Sequence, residues 1–73
     1  MSMTPALRNT LKVQRAIHHL TQAGLAERIN VSRKSINAIE TGNMVPSIVL
    51  ALKLAATFNV PVETLFQLEA ENP

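Results

Sequence analysis

The chain has no cysteine. Disulfide bridges and thiolate metal sites are therefore excluded, and a reducing compartment, with the cytosol as the plain reading, fits this composition. Only two glycines occur, and they form no phosphate-cradling glycine-rich loop. No serine lies beside a histidine base with an orienting acid, so the usual nucleophile arrangement is missing. No basic start precedes an apolar run with a small-residue cleavage site, and no stretch approaches the roughly 18 uncharged apolar residues that mark a bilayer span. The expectation is a protein neither exported nor embedded in a membrane. Internal repeats and low-complexity segments are absent as well. At 73 residues the chain can bury one core of roughly a dozen large apolar side chains, which leaves no room for an active-site cleft between two domains.

What is present is unevenly distributed. The net charge of +2 hides a segregation of sign. Residues 1–39 carry Arg8, Lys12, Arg15, Arg28, Arg33 and Lys34 against Glu27, a balance of +5, while residues 40–73 carry Lys53 against Glu40, Glu63, Glu69 and Glu71, a balance of −3. Such a field turns one face toward phosphate and the other away from it. His18 and His19 are adjacent, so on a helix they point about 100° apart and do not grip one metal together. Glu63, Glu69 and Glu71 read as a solvated acidic end, because nothing apolar is left to wall off a cleft around them. Neither an enzyme, a metal site nor a cofactor is expected.

Helical spacing dominates the chain. A first helix is expected to begin near Asn9, with Val13, Ala16, Ile17 and Leu20 on one face. Thr21 is a good N-cap for a second, whose Leu25, Ala26 and Ile29 fall three and four apart. Asn30 and Val31 break the rhythm. Ser32 caps a third helix carrying Ile36, Ile39 and Glu40, which stops at Thr41 and Gly42, glycine supplying the left-handed residue. Two helices joined so tightly form a bihelical turn of the kind that pushes one helix into the DNA major groove. Burial of Val31, Ile36 and Ile39 leaves Ser32, Arg33, Lys34, Ser35 and Asn37 pointing outward, all donors suited to nucleic acid.

After a loop at 42–46, Pro46 and Ser47 start a helix running to Phe58. It is dense in Ile48, Val49, Leu50, Leu52, Leu54 and Ala55 and is expected to be the most buried of all. Asn59 and Val60 end it, and Pro61 to Phe66 forms a short last helix with proline at its first position. Five helices with short connections give a compact all-α domain at 9–68, between tails at 1–8 and 69–73. A sheet core is disfavoured, since valine and isoleucine nowhere alternate with polar residues for long.

The succession TQAGLAERINVSRKSINAIETG followed by PSIVLALKLAATFNVPVETLF resembles the phage-repressor and Cro-like helix-turn-helix regulators of bacteria and phages, the XRE family, over about residues 9–68. That resemblance implies binding to double-stranded DNA through the major groove. Gln22 matches the family's phosphate-contacting glutamine, which can also brace the recognition helix. Ser32, Arg33 and Lys34 match positions that reach bases and phosphates, with Ser35, Asn37 and Ala38 within reach of the groove and Arg33 as principal base reader through a two-pronged grip on guanine. Asn43 matches a frequent backbone-contact position. Arg15 and Glu40 fall where related repressors tie the first helix to the end of the third with an ion pair. Gly24, Met44, Val45 and Pro61 depart from the family pattern, the glycine at a cost of about 1 kcal/mol relative to alanine.

The resemblance also implies a homodimer, because small members of the family commonly pair through the fifth helix and the segment after it. Phe66 and Leu68 are the expected interface residues. The resulting expectation is a cytoplasmic, nucleoid-associated transcription regulator, a repressor on an inverted-repeat operator. The rival is an antitoxin-type interaction module that holds a toxin partner and regulates its own synthesis.

Overall fold

Residues 7–69 are described by the computed structural model. The Met1–Pro5 part of the expected N-terminal tail and Glu71 lie outside them. The element order is β1 (Leu7–Asn9), α1 (Leu11–Ile17), α2 (Gln22–Ile29), α3 (Arg33–Glu40), α4 (Ile48–Phe58), α5 (Val62–Leu65) and β2 (Phe66–Leu68). The five expected helices are present, and the fold is helical apart from one two-stranded clasp.

Local chemistry explains most of the boundaries. The hydroxyls of Thr21, Ser32 and Ser47 each accept from a backbone N–H three residues on, at Gly24, Ser35 and Leu50, which starts α2, α3 and α4. Asn30 (φ 59°) and Asn59 (φ 55°) take the left-handed conformation that ends α2 and α4. Gly42 does the same after α3 with φ 83°, a conformation costly for a residue with a Cβ.

Leu11, Leu25, Ile36, Ile39, Leu54, Phe58 and Leu65 are fully buried and draw on every helix. Burying a side chain of this kind stabilises by about 1.5–3 kcal/mol. Val31, expected in the core, packs against it half-buried. His18 sits over the core's edge, its ring centroid 5.2 Å from that of Phe58.

Several expectations need correction. Helix α1 begins at Leu11, two residues late, because Asn9 belongs to β1 and its Oδ1 accepts from the Leu11 N–H at 3.2 Å. Its inward face is also different. Leu11 is buried, whereas Val13 and Ile17 lie on the far side at 56% and 60% exposure. The face is set by Arg15, one helical turn from Leu11, which reaches inward to Glu40. Leu20 is not on α1 at all, since the chain leaves the helix through His19 at φ 56°.

Helix α4 buries Leu50, Leu54, Ala55 and Phe58, but Ile48, Val49 and Leu52 stand in solvent. It is thus half buried and not the most enclosed element, because only one side of it meets α2 and α5. The last helix is shorter than expected, Val62–Leu65, with Pro61 as its N-cap and Phe66 already extended. Phe66 is captured by an antiparallel ladder that pairs Leu7 with Leu68, Arg8 with Gln67 and Asn9 with Phe66. Leu7 and Arg8, placed by the sequence in the tail, are therefore part of the fold.

Candidate nucleic-acid interface

Helix α3 is fastened from one side and open on the other. Ile36 and Ile39 are buried. At 100° per residue, Arg33 and Asn37 share a ridge one turn apart, and Lys34 and Ala38 form the next. Arg33, Lys34 and Asn37 are exposed, and Ala38 is half-buried. Ser32 is exposed at the helix start, where its Oγ accepts from Ser35 N at 3.1 Å and lies 3.0 Å from Ser35 Oγ. The Ser35 hydroxyl is thereby engaged with the cap, and its residue is half-buried.

Gln22, on the first turn of α2, joins the two helices of the turn. Its Nε2 donates to Asn37 Oδ1 and to Glu40 Oε1, both at 3.1 Å, while its Oε1 accepts from Arg33 Nη1 at 3.3 Å. A single amide thus links the three α3 positions on the α2 side. The Arg33 guanidinium is steadied without being neutralised, since its partner is an amide.

Behind this linkage lies an ion pair. Arg15 Nε donates to Glu40 Oε2 at 2.6 Å and Arg15 Nη2 to Glu40 Oε1 at 3.0 Å, a two-pronged arrangement. The third guanidinium nitrogen, Nη1, donates to the Leu20 carbonyl at 3.1 Å. The two side chains are only 14% and 7% exposed. Burial alone would raise the Glu40 pKa. Hydrogen bonds from Arg15 and Gln22, with the charges of Arg15 and Lys12, outweigh burial and hold the carboxyl below its ordinary value. The same hydrogen bond to Glu40 raises the Arg15 pKa.

The far end of α3 is tied by backbone contacts. Asn43 N and Met44 N donate to the Ala38 carbonyl at 2.8 and 3.1 Å. The Asn43 side chain is exposed, and its Nδ2 donates to Thr41 Oγ1 at 3.2 Å. Gln22, Ser32, Arg33, Lys34, Asn37 and Asn43 therefore lie on or beside the open side of α3, with Ser35 and Ala38 at its margin. Phe66 and Leu68 sit apart in β2. Asn9 is a contributor that sequence reasoning missed. Its Nδ2 donates to Ile39 O at 3.1 Å, anchoring the C-terminal turn of α3 to β1. An Asn-Thr pair before a helix signals a local cap, but not a partner 30 residues away.

Among the described residues no helix is long and apolar enough to cross a membrane, and no group of three or more His, Asp or Glu side chains could hold a metal ion.

The helix-turn-helix family model matches residues 11–65, the span from the start of α1 to the end of α5. An uncharacterised HTH-type transcriptional regulator of Methanocaldococcus jannaschii is 48% identical over 60 residues, covering 82% of this chain and 91% of that protein. The uncharacterised HTH-type transcriptional regulator YgzD of Bacillus subtilis is 41% identical over 66 residues, covering 90% of this chain and all of YgzD. Among solved structures, a candidate DNA-binding protein from Bacteroides fragilis superposes with a TM-score of 0.75 at 28% identity, covering 84% of this chain and 98% of that one.

Proposed function

The chain belongs to this helix-turn-helix family, of the XRE type, and from that premise we propose that it is a DNA-binding transcription regulator, a repressor acting as a homodimer on an inverted-repeat operator. The observation that carries the reading is the Gln22 amide between Arg33, Asn37 and Glu40. It presents a guanidinium and a carboxamide in fixed relation on the open ridge of a helix whose other side is locked into the core.

Those two groups are the ones best matched to base edges. Arginine spans the O6 and N7 acceptors of guanine, and asparagine pairs with the N6 donor and N7 acceptor of adenine. In this reading Arg33 is the principal base reader, with Lys34, Asn37, Ser32 and Ser35 around it and Ala38 in apolar contact with the groove. The exposed N-terminal turn of α3 carries the positive end of the helix dipole, which favours phosphate nearby. Asn43 through its side chain and Gln22 through its backbone N–H on the first turn of α2 donate to backbone phosphates on either side of the groove, fixing register without reading sequence. Both hydrogens of the Gln22 amide are already given to Asn37 and Glu40.

One domain reads only a few base pairs. Two copies, with recognition helices about 34 Å apart, read a palindrome. Occupation of such a site in the cytoplasm, on the nucleoid, would block or reposition RNA polymerase. Selection of bound fragments from a random duplex library at near-physiological salt tests the reading, with an Arg33→Ala, Lys34→Ala double variant in parallel. An inverted repeat recovered by the native chain and lost in the variant is the expected result. Recovery of no motif by either chain overturns it.

A further inference from the structure

Helix α4, IVLALKLAATF, carries one charged residue, Lys53. A helix that is apolar all round is normally enclosed all round. In a single copy of this chain it is enclosed on one side only, with Ile48 79%, Val49 64% and Leu52 55% exposed. These three fall with Ala56 within about 100° of arc, a stripe one residue type short of continuous large aliphatics. Val45, in the loop three residues before Ile48, is 73% exposed as well.

No charged residue occurs between 41 and 52. The exposed aliphatic area is on the order of a few hundred Å², the size at which an apolar patch on a small domain marks a contact site. That is enough for the apolar centre of an interface burying roughly 800 Å² on each partner.

Val45 also lines a pocket of about 310 Å³ with Leu7, Met44 and Phe66, between the clasp and the loop after α3. Through Val45 the chain thus runs from an apolar recess directly into the exposed stripe that begins at Ile48. A two-fold pair repeats every contact in both directions, so a surface holding both knob and recess can satisfy itself. The one charge of α4, Lys53, borders the stripe one turn after Val49, and the stripe itself is aliphatic, which suits an apolar surface of the same kind.

We infer that the solvent face of α4, Ile48, Val49 and Leu52 with the recess beside Val45, is where a second copy of this chain docks. The inference rests on the two-copy reading above and assigns its surface. Phe66 forms part of the recess wall and Leu68 pairs with Leu7 of that wall, so the pair expected from the sequence flanks the interface and α4 is its centre. Arg33 and Lys34, on α3, stay clear of it.

The test is sedimentation velocity of the native chain across micromolar concentrations, beside an Ile48→Glu, Leu52→Glu variant and a Val13→Glu, Ile17→Glu variant. Both pairs are exposed in the single copy, and circular dichroism checks that the helices persist. An Ile48→Ala, Leu52→Ala variant adds no charge and keeps a strong helix former at both sites. The α4 glutamates are expected to weaken self-association at least about 100-fold, the α4 alanines about 10-fold, and the α1 glutamates not at all. A native chain that stays monomeric, or self-association lost with the α1 pair and kept with the α4 pair, overturns the inference. Fragment selection separates this from the functional reading. A monomeric native chain that recovers a single half-site sinks the interface and keeps DNA reading, whereas a dimer broken by the α4 glutamates that recovers no motif does the reverse.

Discussion

Glu40 Oε1 receives two donors from different helices, Arg15 Nη2 at 3.0 Å and Gln22 Nε2 at 3.1 Å. One carboxylate oxygen thus connects the ion pair that holds α1 against α3 to the amide that orders the open face of α3. Stability and recognition share an atom at this point, and the two can be pulled apart by substitution.

Arg15→Ala leaves Glu40 mostly buried with Gln22 as its remaining side-chain donor. Loss of one partner of such a pair costs on the order of 3 kcal/mol. The urea midpoint of Arg15→Ala is therefore expected well below that of the native chain, with an unchanged slope. A shift of only a few tenths of a kcal/mol would mean that the pair is screened by water.

Acid should expose the same pair. The Glu40 carboxyl titrates below its ordinary value in the fold, so its contribution is fully present above the unfolded value near 4.3 and is lost as pH falls through the lower, folded value. Thermal unfolding followed from neutral pH down to about pH 3 should show a steep acid limb in the native chain. Glu40→Gln should be less stable at neutral pH and lose less on acidification. Parallel limbs would show that other carboxylates govern acid unfolding.

At the interface, Arg33→Ala should cost about 1–3 kcal/mol at the selected site and relax preference at one base pair, while Gln22→Ala weakens all sites. Because Gln22 also braces Arg33 and Asn37, Gln22→Ala should blur the selected motif as well. Competition binding on a panel of single-base variants reads both effects. Unchanged affinity and motif in Arg33→Ala would remove it as base reader.

Gly24→Ala concerns stability alone. A Cβ at this position would stand 3.2 Å from Thr21 Oγ1 and 3.6 Å from Leu20 Cδ2. Thr21 is exposed and its hydroxyl can yield a few tenths of an ångström, so the helix propensity gain, up to about 1 kcal/mol, should prevail in part. A net stabilisation of about 0.5 kcal/mol is expected by denaturant titration. A loss would show that the Thr21 cap cannot adjust.

The helices were legible because their signals are local. Thr21, Ser32 and Ser47 each lie three residues from the N–H they cap, and Asn30, Gly42 and Asn59 mark their own left-handed turns. What escaped depends on distant partners. Val13 and Ile17 have helical spacing, but Arg15 claims the inward face through a carboxylate 25 residues away. Phe66 reads as a helix end until Asn9 pairs with it across the chain. The apolar run of α4 looked like burial, and nothing local reveals that a single copy covers only half of it. At the interface, the outward set on α3 followed from periodicity. The Gln22 linkage, which joins residues 11 and 15 positions apart, did not follow from periodicity, and only the family resemblance pointed to a brace there.

The pairing of Leu7 with Leu68 turns the described chain into a closed ring, fastened by three residues at each end. Fraying, which ordinarily starts at chain ends, must first undo this fastening, and undoing it frees both ends together. The entropic cost of closing so long a loop grows only slowly with its length, so a clasp this small can hold it once the helices are in place. Clipping β1 away would therefore also release the edge of β2 and the turn of α3 held by Asn9. The opening that frees the first residues of the fold thus begins the loosening of its recognition helix.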